Sequence, residues 1–376
     1  MKVIFTILLL IPLLASYYLI NKENFLFQQQ ADAFIIEHPE KLPRAEYAAL
    51  MFPGFSNVIA DLYWLQAIQY VGRNAVSSEY KKYFYEMMHL ISELNPYFES
   101  PYILGQLLLP SGNNPNEDFT PEQMEEHTKR GEELGLKGIE NFCDTDKIEL
   151  IDMQDNLGMI IQDQKYKNPC RSFMIPYYLA YIYFYYMHDH SEAAKYYKVV
   201  SAQDDAPRGA RILAGIMQGR AGEREKSLFM FLSLAQTVQQ RDEACMILSS
   251  EIERIYNLYV SQNMPLTGEF LRETEILRDQ VLPRLSDENE DVILSDTECS
   301  NFLTKAIREL SLLYLEQADA QYITDFPDEI SAMTPERLFE LGYINFIPTD
   351  YQQHGDYGII YRYSEDSGRF DYQMGY

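Results

Sequence analysis

Residues 175–236 read IPYYLAYIYFYYMHDHSEAAKYYKVVSAQDDAPRGARILAGIMQGRAGEREKSLFMFLSLAQ, and this stretch repeats its own pattern after 34 residues. In helix–turn–helix repeats of this period, small residues lie where paired helices nearly touch, and an aromatic side chain fills the gap to the next repeat. The stretch therefore predicts two consecutive helical pairs. The shift by 34 residues aligns Ala180-Tyr181 with Ala214-Gly215, His188 with Gly222, Ala193 with Ser227, and Tyr197 with Phe231.

These two pairs resemble tetratricopeptide repeats, which implies a binding scaffold but does not identify the partner. The runs ADLYWLQAIQY (60–70), LNPYF (94–98) and YILG (102–105) extend the resemblance. They look like a group of bacterial, membrane-anchored tetratricopeptide-type proteins, over about residues 45–240. The resemblance implies a mainly α fold, an irregular helical-repeat solenoid, and a place in the cell envelope.

Composition narrows the range of functions. The chain has 376 residues, 47% of them apolar, so it can bury a core. Lys plus Arg number 31 and Asp plus Glu 57, which gives a net charge of −26. So acidic a surface repels phosphate backbones, and we expect no nucleic-acid partner.

The N-terminus predicts export. Lys2 precedes an almost unbroken apolar run over residues 3–20, and eighteen helical residues span about 27 Å, enough for the hydrocarbon core of a bilayer. One interpretation is an uncleaved anchor in the bacterial inner membrane, with the body on the periplasmic side because positive charge precedes the run. The other is a signal peptide removed after about residue 16, which would make the protein secreted.

The cysteines do not decide the compartment. Cys143, Cys170, Cys245 and Cys299 form no CxxC pair, so a zinc ribbon or a thioredoxin-like motif has no support. In an exported chain they allow two disulfides in three connectivities. Separate thiols packed among helices are the alternative.

Helix-breaking residues and changes in composition along the chain predict its domains. We expect a membrane anchor or signal peptide (1–22), a tether (23–43), helical repeats (44–260), a helix with an acidic linker (261–299), and a small α+β C-terminal module (300–376). In the last of these, Ser300 is predicted to cap a helix over 301–321, and 334–336 to open a short one. Strands over 358–363 and 369–372 are joined by a loop that ends in glycine, which suits a hairpin.

The C-terminal module also resembles that of pseudopilin-type proteins. The order is a helix, the turn Phe326-Pro327, a short helix, the run IPTD (347–350) and a hairpin. The sequence departs from that family at Tyr351, where a proline is usual, and no pilin-type N-terminal helix leads into the module.

Tyrosines in the 176–186 segment are the candidate partner-binding residues. Tyr178 and Tyr185 are predicted to lie on the concave face of the repeats, with Tyr181 beside them. Tyrosine there offers rigid apolar area with a hydroxyl at its end, which suits peptide or glycan recognition. The alternative, and the more common role, is packing against a neighbouring helix or loop.

Other groups of residues in the sequence give little support for a metal site or a catalytic site. His188 and His190 have the spacing of a metal clip, but a polar turn is expected at that place in the repeat, and no third ligand is evident. The chain lacks nucleophile-elbow, zinc-protease and phosphate-loop motifs. We therefore expect no enzyme, no metal and no cofactor. The hypothesis is an envelope scaffold that binds a protein partner, and the alternative is a glycan- or cell-wall-binding protein.

Overall fold

The computed structural model describes residues 42–51, 54–74, 80–111, 119–238, 243–282, 298–354 and 357–375. Within these ranges the chain is mainly helical, which confirms the mainly α class. It divides into two compact units, the first ending at Asn141 and the second beginning at Phe142. The predicted domain limits remain a prediction.

The apolar run at 3–20 lies outside the described residues, as do the tether and most of the acidic linker. Among the helices that are described, none combines the length and the hydrophobicity needed to cross a bilayer.

The first unit is built around its third helix. Phe84, Met88 and Ile91 are fully buried there at helical spacing, so one face of the helix forms the core. Gly105 allows the Leu134 side chain to lie directly on the fourth helix, where a Cβ atom would collide with it. The helices are α1 (Ala45–Met51), α2 (Ser56–Asn74), α3 (Lys81–Leu94), α4 (Glu99–Leu108) and α5 (Pro121–Phe142).

The second unit continues the helical order and ends in strands. Its elements are α6 (Thr145–Asp152), α7 (Leu157–Gln162), α8 (Met174–Tyr181), a π-helical segment (Ile182–Met187), α9 (His190–Ser201), α10 (Gly209–Arg220), α11 (Arg224–Thr237), α12 (Glu243–Gln262), α13 (Gly268–Val281), α14 (Glu298–Asp325), α15 (Pro335–Glu340), β1 (Gln353–His354), β2 (Tyr357–Ser364) and β3 (Arg369–Gly375).

Helix starts follow the local sequence. The Thr120 hydroxyl accepts from the Gln123 N–H at 3.3 Å, and the Gln123 side chain accepts from the Thr120 N–H at 2.9 Å, as a capping box does. Thr334 caps α15 as predicted. The expected cap at Ser300 is wrong, because α14 begins earlier and Ser300 lies in its first turn.

Residues aligned by the 34-residue shift share two local features, although the first helix of the first pair ends in a π-helical segment and its counterpart does not. His188 and Gly222, which the period aligns, both have left-handed backbone conformation, with φ of 55° and 95°. Ala193 and its counterpart Ser227 are both fully buried. α9 contacts α8 and α10, and α11 contacts α10.

A three-stranded antiparallel sheet, ordered β1-β2-β3, closes the second unit. The predicted hairpin is observed, with Tyr361 opposite Tyr372 and Ser364 opposite Arg369. Gly368, at φ 65°, ends the connecting loop in the left-handed region that glycine tolerates. β3 contacts α14, and α14 packs along α11.

Both disulfides lie in the second unit. Cys143 pairs with Cys170, with Cα atoms 3.9 Å apart. Cys245 pairs with Cys299, with Cα atoms 6.0 Å apart, and joins α12 to α14. The structure thus selects one of the three connectivities that the sequence left open.

Candidate functional site

A cleft in the second unit has a volume of about 1320 Å³ and lies between the turn before α9, the end of α10 and the β2–β3 hairpin. Its lining combines aromatic, cationic and acidic side chains. The lining residues are Phe184, Tyr185, Met187, His188, Asp189, His190, Ser191, Arg220, Ala221, Ser364, Asp366, Ser367, Arg369, Asp371, Tyr372 and Gln373.

The turn before α9 forms one edge of this cleft. The left-handed backbone at His188 ends the π-helical segment, and the Asp189 carboxylate accepts from the Glu192 N–H at 3.0 Å. This N-cap satisfies one of the free amides of the first helical turn. His190 then begins α9, half-buried, and burial together with the nearby Arg220 guanidinium lowers its pKa.

Arg220 forms the wall at the end of α10. Its guanidinium carbon lies 5.9 Å from the Phe184 ring centroid and 5.2 Å from the Tyr372 centroid, so two aromatic faces hold it. Its Nε lies 3.8 Å from Oδ2 of Asp371, too far for a hydrogen bond.

Three polar atoms on the cleft lining are buried without a hydrogen-bond partner. They are Nδ1 of His190, Nε of Arg220 and Oγ of Ser367. A buried polar group without a partner costs about 1–3 kcal/mol. Their grouping on one cleft marks it as the candidate site.

Behind this wall, Arg224 is almost wholly buried and anchors the hairpin to two helices. It donates to the Glu309 carboxylate at 3.3 Å, the Glu316 carboxylate at 3.2 Å, the Asp371 carboxylate at 3.3 Å and the carbonyl oxygen of Phe370 at 2.8 Å. One cation therefore joins α11, α14 and β3. The only signal for it in the sequence is the charged pair at 308–309 within an otherwise apolar stretch of α14.

Glu309 is the most buried carboxylate of this group, at 2% exposure. Its carboxylate lies against α10, where a Cβ atom on Gly219 would come within 2.8 Å of both oxygens. Burial raises the pKa of Glu309 to about 7, against the attraction of the Arg224 guanidinium. Three carboxylates around one guanidinium leave the group with excess negative charge when all are ionised.

This pKa predicts a pH-dependent stability. The folded pKa of Glu309 exceeds its unfolded value, so its favourable contribution is complete below about 4.5 and is lost as the pH rises through about 7. Between pH 5 and 7.5 the loss is on the order of 2 kcal/mol. The glutamine of Glu309→Gln stays uncharged at every pH, so this variant does not undergo that loss. Between pH 5 and 7.5, we expect urea unfolding to show the variant gaining the same amount of stability relative to wild type. Parallel profiles for the two proteins would contradict the assignment.

The structure separates the three predicted tyrosines. Tyr185 is 55% exposed and lines the cleft, and the Tyr181 ring stacks on it at 5.4 Å, with an interplanar angle of 6°. Burial, with smaller effects from Tyr185 and Tyr177, raises the pKa of Tyr181. Tyr178 is half-buried, packs edge-on against Tyr177 at 5.5 Å, and does not line the cleft.

Sequence reasoning selected His188 and His190 only as a possible metal clip and passed over Arg220, Ser367 and Arg369. In the described ranges, no group of three or more His, Cys, Asp or Glu side chains is arranged to hold a metal ion. The histidines instead belong to the wall of a cleft whose opposite side comes from the hairpin, far away in the sequence.

No protein-family model, curated protein or solved structure matches this chain.

Proposed function

We propose that this protein is an extracytoplasmic helical-repeat scaffold, tethered to the bacterial inner membrane through residues 3–20, that binds a protein partner in the cell envelope. The proposal is supported by the shared burial and turn conformation of residues 34 apart in the two helix pairs. Binding by repeats stacked into a solenoid needs no catalytic residues, so the proposed role is recognition rather than catalysis.

The packing between the paired helices supports the repeat interpretation. Gly215 faces Phe231 so closely that a Cβ atom would lie 2.7 Å from the ring. The Ser227 hydroxyl donates to the carbonyl oxygen of Gly215 at 2.7 Å. The small residue of one helix thus contacts the aromatic ring and the hydroxyl of the next helix, which is the packing typical of helical repeats of this period.

The disulfides support the proposed compartment. Stable disulfides form in oxidising surroundings such as the bacterial periplasm and are rare in the reducing cytosol. Both pairs, Cys143–Cys170 and Cys245–Cys299, connect segments distant in sequence, as structural disulfides do. The alternative localisation is outside the membrane, as a secreted protein released by cleavage of the N-terminal segment.

A glycan- or cell-wall-binding protein is the second candidate. The stacked rings of Tyr181 and Tyr185 favour it, because an exposed aromatic surface beside polar groups suits the apolar face of a sugar ring. Saccharide titration of Tyr185→Ala separates this candidate from the first.

The scaffold proposal is tested by crosslinking in intact cells, using the full-length chain as bait. A fragment ending at residue 260 is unsuitable because it lacks Cys299 and the carboxylates that surround Arg224. Recovery of one specific envelope protein is the expected result. A folded full-length protein that captures no envelope protein above a mock control would reject the scaffold.

Tyr185 is expected to contribute most of the tyrosine contacts to a partner. Tyr185→Ala should weaken capture about tenfold, because exposed aromatic anchors dominate interfaces, while Tyr178→Ala should weaken it less since that ring is already packed on Tyr177. Quantitative crosslinking yield is the measurement. The matched control is Tyr97→Ala, which removes a side chain that is 62% exposed in the first unit. Equal losses from Tyr185→Ala and Tyr97→Ala would contradict the assignment.

A further inference from the structure

Arg369 is a cation directed to the cleft without a carboxylate at ion-pair distance in the part of the chain that the structure describes. Its guanidinium crosses Gly222, where a Cβ atom would collide with it. Its Nε donates to the carbonyl oxygen of Ser367 at 3.3 Å. Among the described carboxylates, Glu316 is near enough for the Arg369 charge to act on its pKa, but Glu316 itself pairs with Arg224.

The three polar atoms without a hydrogen-bond partner on this cleft can all act as donors. The Arg220 Nε–H can only donate, the Ser367 hydroxyl can donate, and His190 Nδ1 can donate in one tautomer. All three suit a ligand that presents acceptor oxygens. Together with the Arg369 guanidinium they describe a site for an anion.

Two of the three acids on the lining are already engaged. Asp371 accepts from Arg224 at 3.3 Å and from the Tyr372 N–H at 2.9 Å. Asp189 caps α9. Both carboxylates therefore have partners of their own, and Asp366, on the hairpin loop, is the remaining acid of the lining.

Charge and shape then select the kind of anion. A phosphate dianion or a polyphosphate is disfavoured by the three aspartates of the lining and by the net charge of −26. A neutral saccharide would bring no charge to the Arg369 guanidinium, whose acidic neighbour Glu316 is already paired with Arg224. A carboxylate carries one charge and two acceptor oxygens, which match the fork of a guanidinium. The rings of Tyr185 and Phe184 offer apolar area beside it.

We propose that this cleft binds a carboxylate of a peptide segment, with Arg369 and Arg220 as its cationic partners and Tyr185 packing against a flanking side chain. The inference rests on the proposed function, since it takes the partner to be a protein. It adds the chemistry that the partner presents at this cleft, which is an aspartate or glutamate side chain, or a chain terminus, beside an apolar residue.

The test is calorimetric titration of the full-length protein with three matched peptides. N-acetyl-Phe-Glu-Phe-amide carries a side-chain carboxylate, N-acetyl-Phe-Gln-Phe a terminal one, and N-acetyl-Phe-Gln-Phe-amide none. We expect one of the two acids to bind about tenfold or more tightly than the neutral peptide, because a charge-assisted hydrogen bond contributes about 1.5–3 kcal/mol. Whichever acidic peptide binds more tightly shows whether the site prefers a side-chain carboxylate or a terminal one. Equal affinity for all three peptides would overturn the proposal.

Arginine variants locate the binding. Arg369→Gln should abolish the preference for the acid, whereas Arg362→Gln should leave it within twofold, since Arg362 lies exposed on the same hairpin and outside the cleft lining. Equal losses from both variants would mean general charge attraction, and would overturn the site. A circular dichroism melt of each variant shows whether its overall stability matches that of wild type.

Two further ligands test the alternatives. Inorganic phosphate or a chitin trisaccharide that binds more tightly than every peptide would also overturn the site, in favour of a phosphate or glycan ligand. Failure of the peptide titration together with capture of a specific envelope protein would leave the scaffold standing and remove only this site. Acid-selective binding of a peptide without capture of any envelope protein would support the carboxylate site and reject the scaffold.

Discussion

Replacing Arg224 by methionine is expected to lower the free energy of unfolding by about 3–5 kcal/mol, because it removes one side of a buried ion pair. The loss leaves Glu309, Glu316 and Asp371 facing one another without the cation that joins them. Methionine keeps most of the side-chain volume, so the effect reports charge and hydrogen bonding rather than a cavity. Urea unfolding is the measurement.

The structural consequence should be local. Arg224 also donates to the carbonyl oxygen of Phe370, so β3 loses a direct link to α11. Hydrogen exchange of the β2–β3 amides is expected to accelerate in the variant more than exchange in α10. Uniform acceleration throughout the second unit would contradict a role specific to the hairpin.

Two companion variants sharpen the test. Lys226→Met removes a cation from the same helix, but its pair with Glu223 is about half exposed, so its loss should cost less than about 1 kcal/mol. The double variant Arg224→Met with Glu309→Gln should recover part of the stability, because it removes the buried carboxylate that the cation had neutralised. A double variant as unstable as the sum of the single ones would argue against direct coupling.

The second large effect is expected at Asp350. Arg308 donates to its carboxylate through two nitrogens, at 2.7 and 3.0 Å, and both side chains are buried. The Tyr361 hydroxyl donates to the same carboxylate at 3.2 Å, and the Arg308 guanidinium lies 4.5 Å from the Tyr372 ring centroid. Asp350→Ala leaves this arginine buried without a counter-charge and should cost about 3–5 kcal/mol.

The chain contains its own matched control for that prediction. Arg337 forms a comparable pair on the surface, where one of its nitrogens donates to both oxygens of Glu329 at 2.8 and 3.1 Å and its guanidinium lies 5.4 Å from the Tyr322 ring centroid. Its side chain is 45% exposed and that of Glu329 is 40% exposed. Glu329→Ala should therefore cost less than about 1 kcal/mol. Similar losses from the buried and exposed variants would show that burial is not the deciding factor.

Replacing both buried partners tests the same point from the other side. Arg308→Met combined with Asp350→Leu removes both charges, and such exchanges are often neutral or stabilising relative to the intact pair. The double variant should be more stable than Asp350→Ala alone. The opposite order would mean that Arg308 stabilises the fold through its contacts with Gln352 and the Tyr372 ring by more than its unpaired charge destabilises it.

Much of the helical structure was predictable because its causes are local. The 34-residue period predicted where Ala180 and Ala214 are buried and where the chain turns at His188 and Gly222. Caps depend on residues three apart, which is why the helix start at Thr334 was predicted correctly. A terminal glycine and two alternating segments similarly predicted the hairpin.

The candidate site was only partly predictable. Tyr185 was predicted to lie on the concave face from its position relative to Ala180 in the repeat, and in the structure it lines the cleft. Tyr178 was selected with it, because a regular helix would place both on one face. The π-helical segment Ile182–Met187 changes the spacing between them, and Tyr178 packs on Tyr177 instead.

The sequence alone determined the helical class, the acidic charge and the hairpin, because each depends on composition or on residues close in the chain. Only the tertiary structure decided the partners of Arg224 and the pairing of the four cysteines. Arg224 and Glu309 are 85 residues apart, and Cys245 and Cys299 are 54 apart. A charge or a thiol in a sequence does not specify which distant group it meets, since that depends on how α11, α12 and α14 pack. The cleft between the 188–190 turn and the hairpin has the same origin, so its ligand chemistry can be argued only from the folded chain.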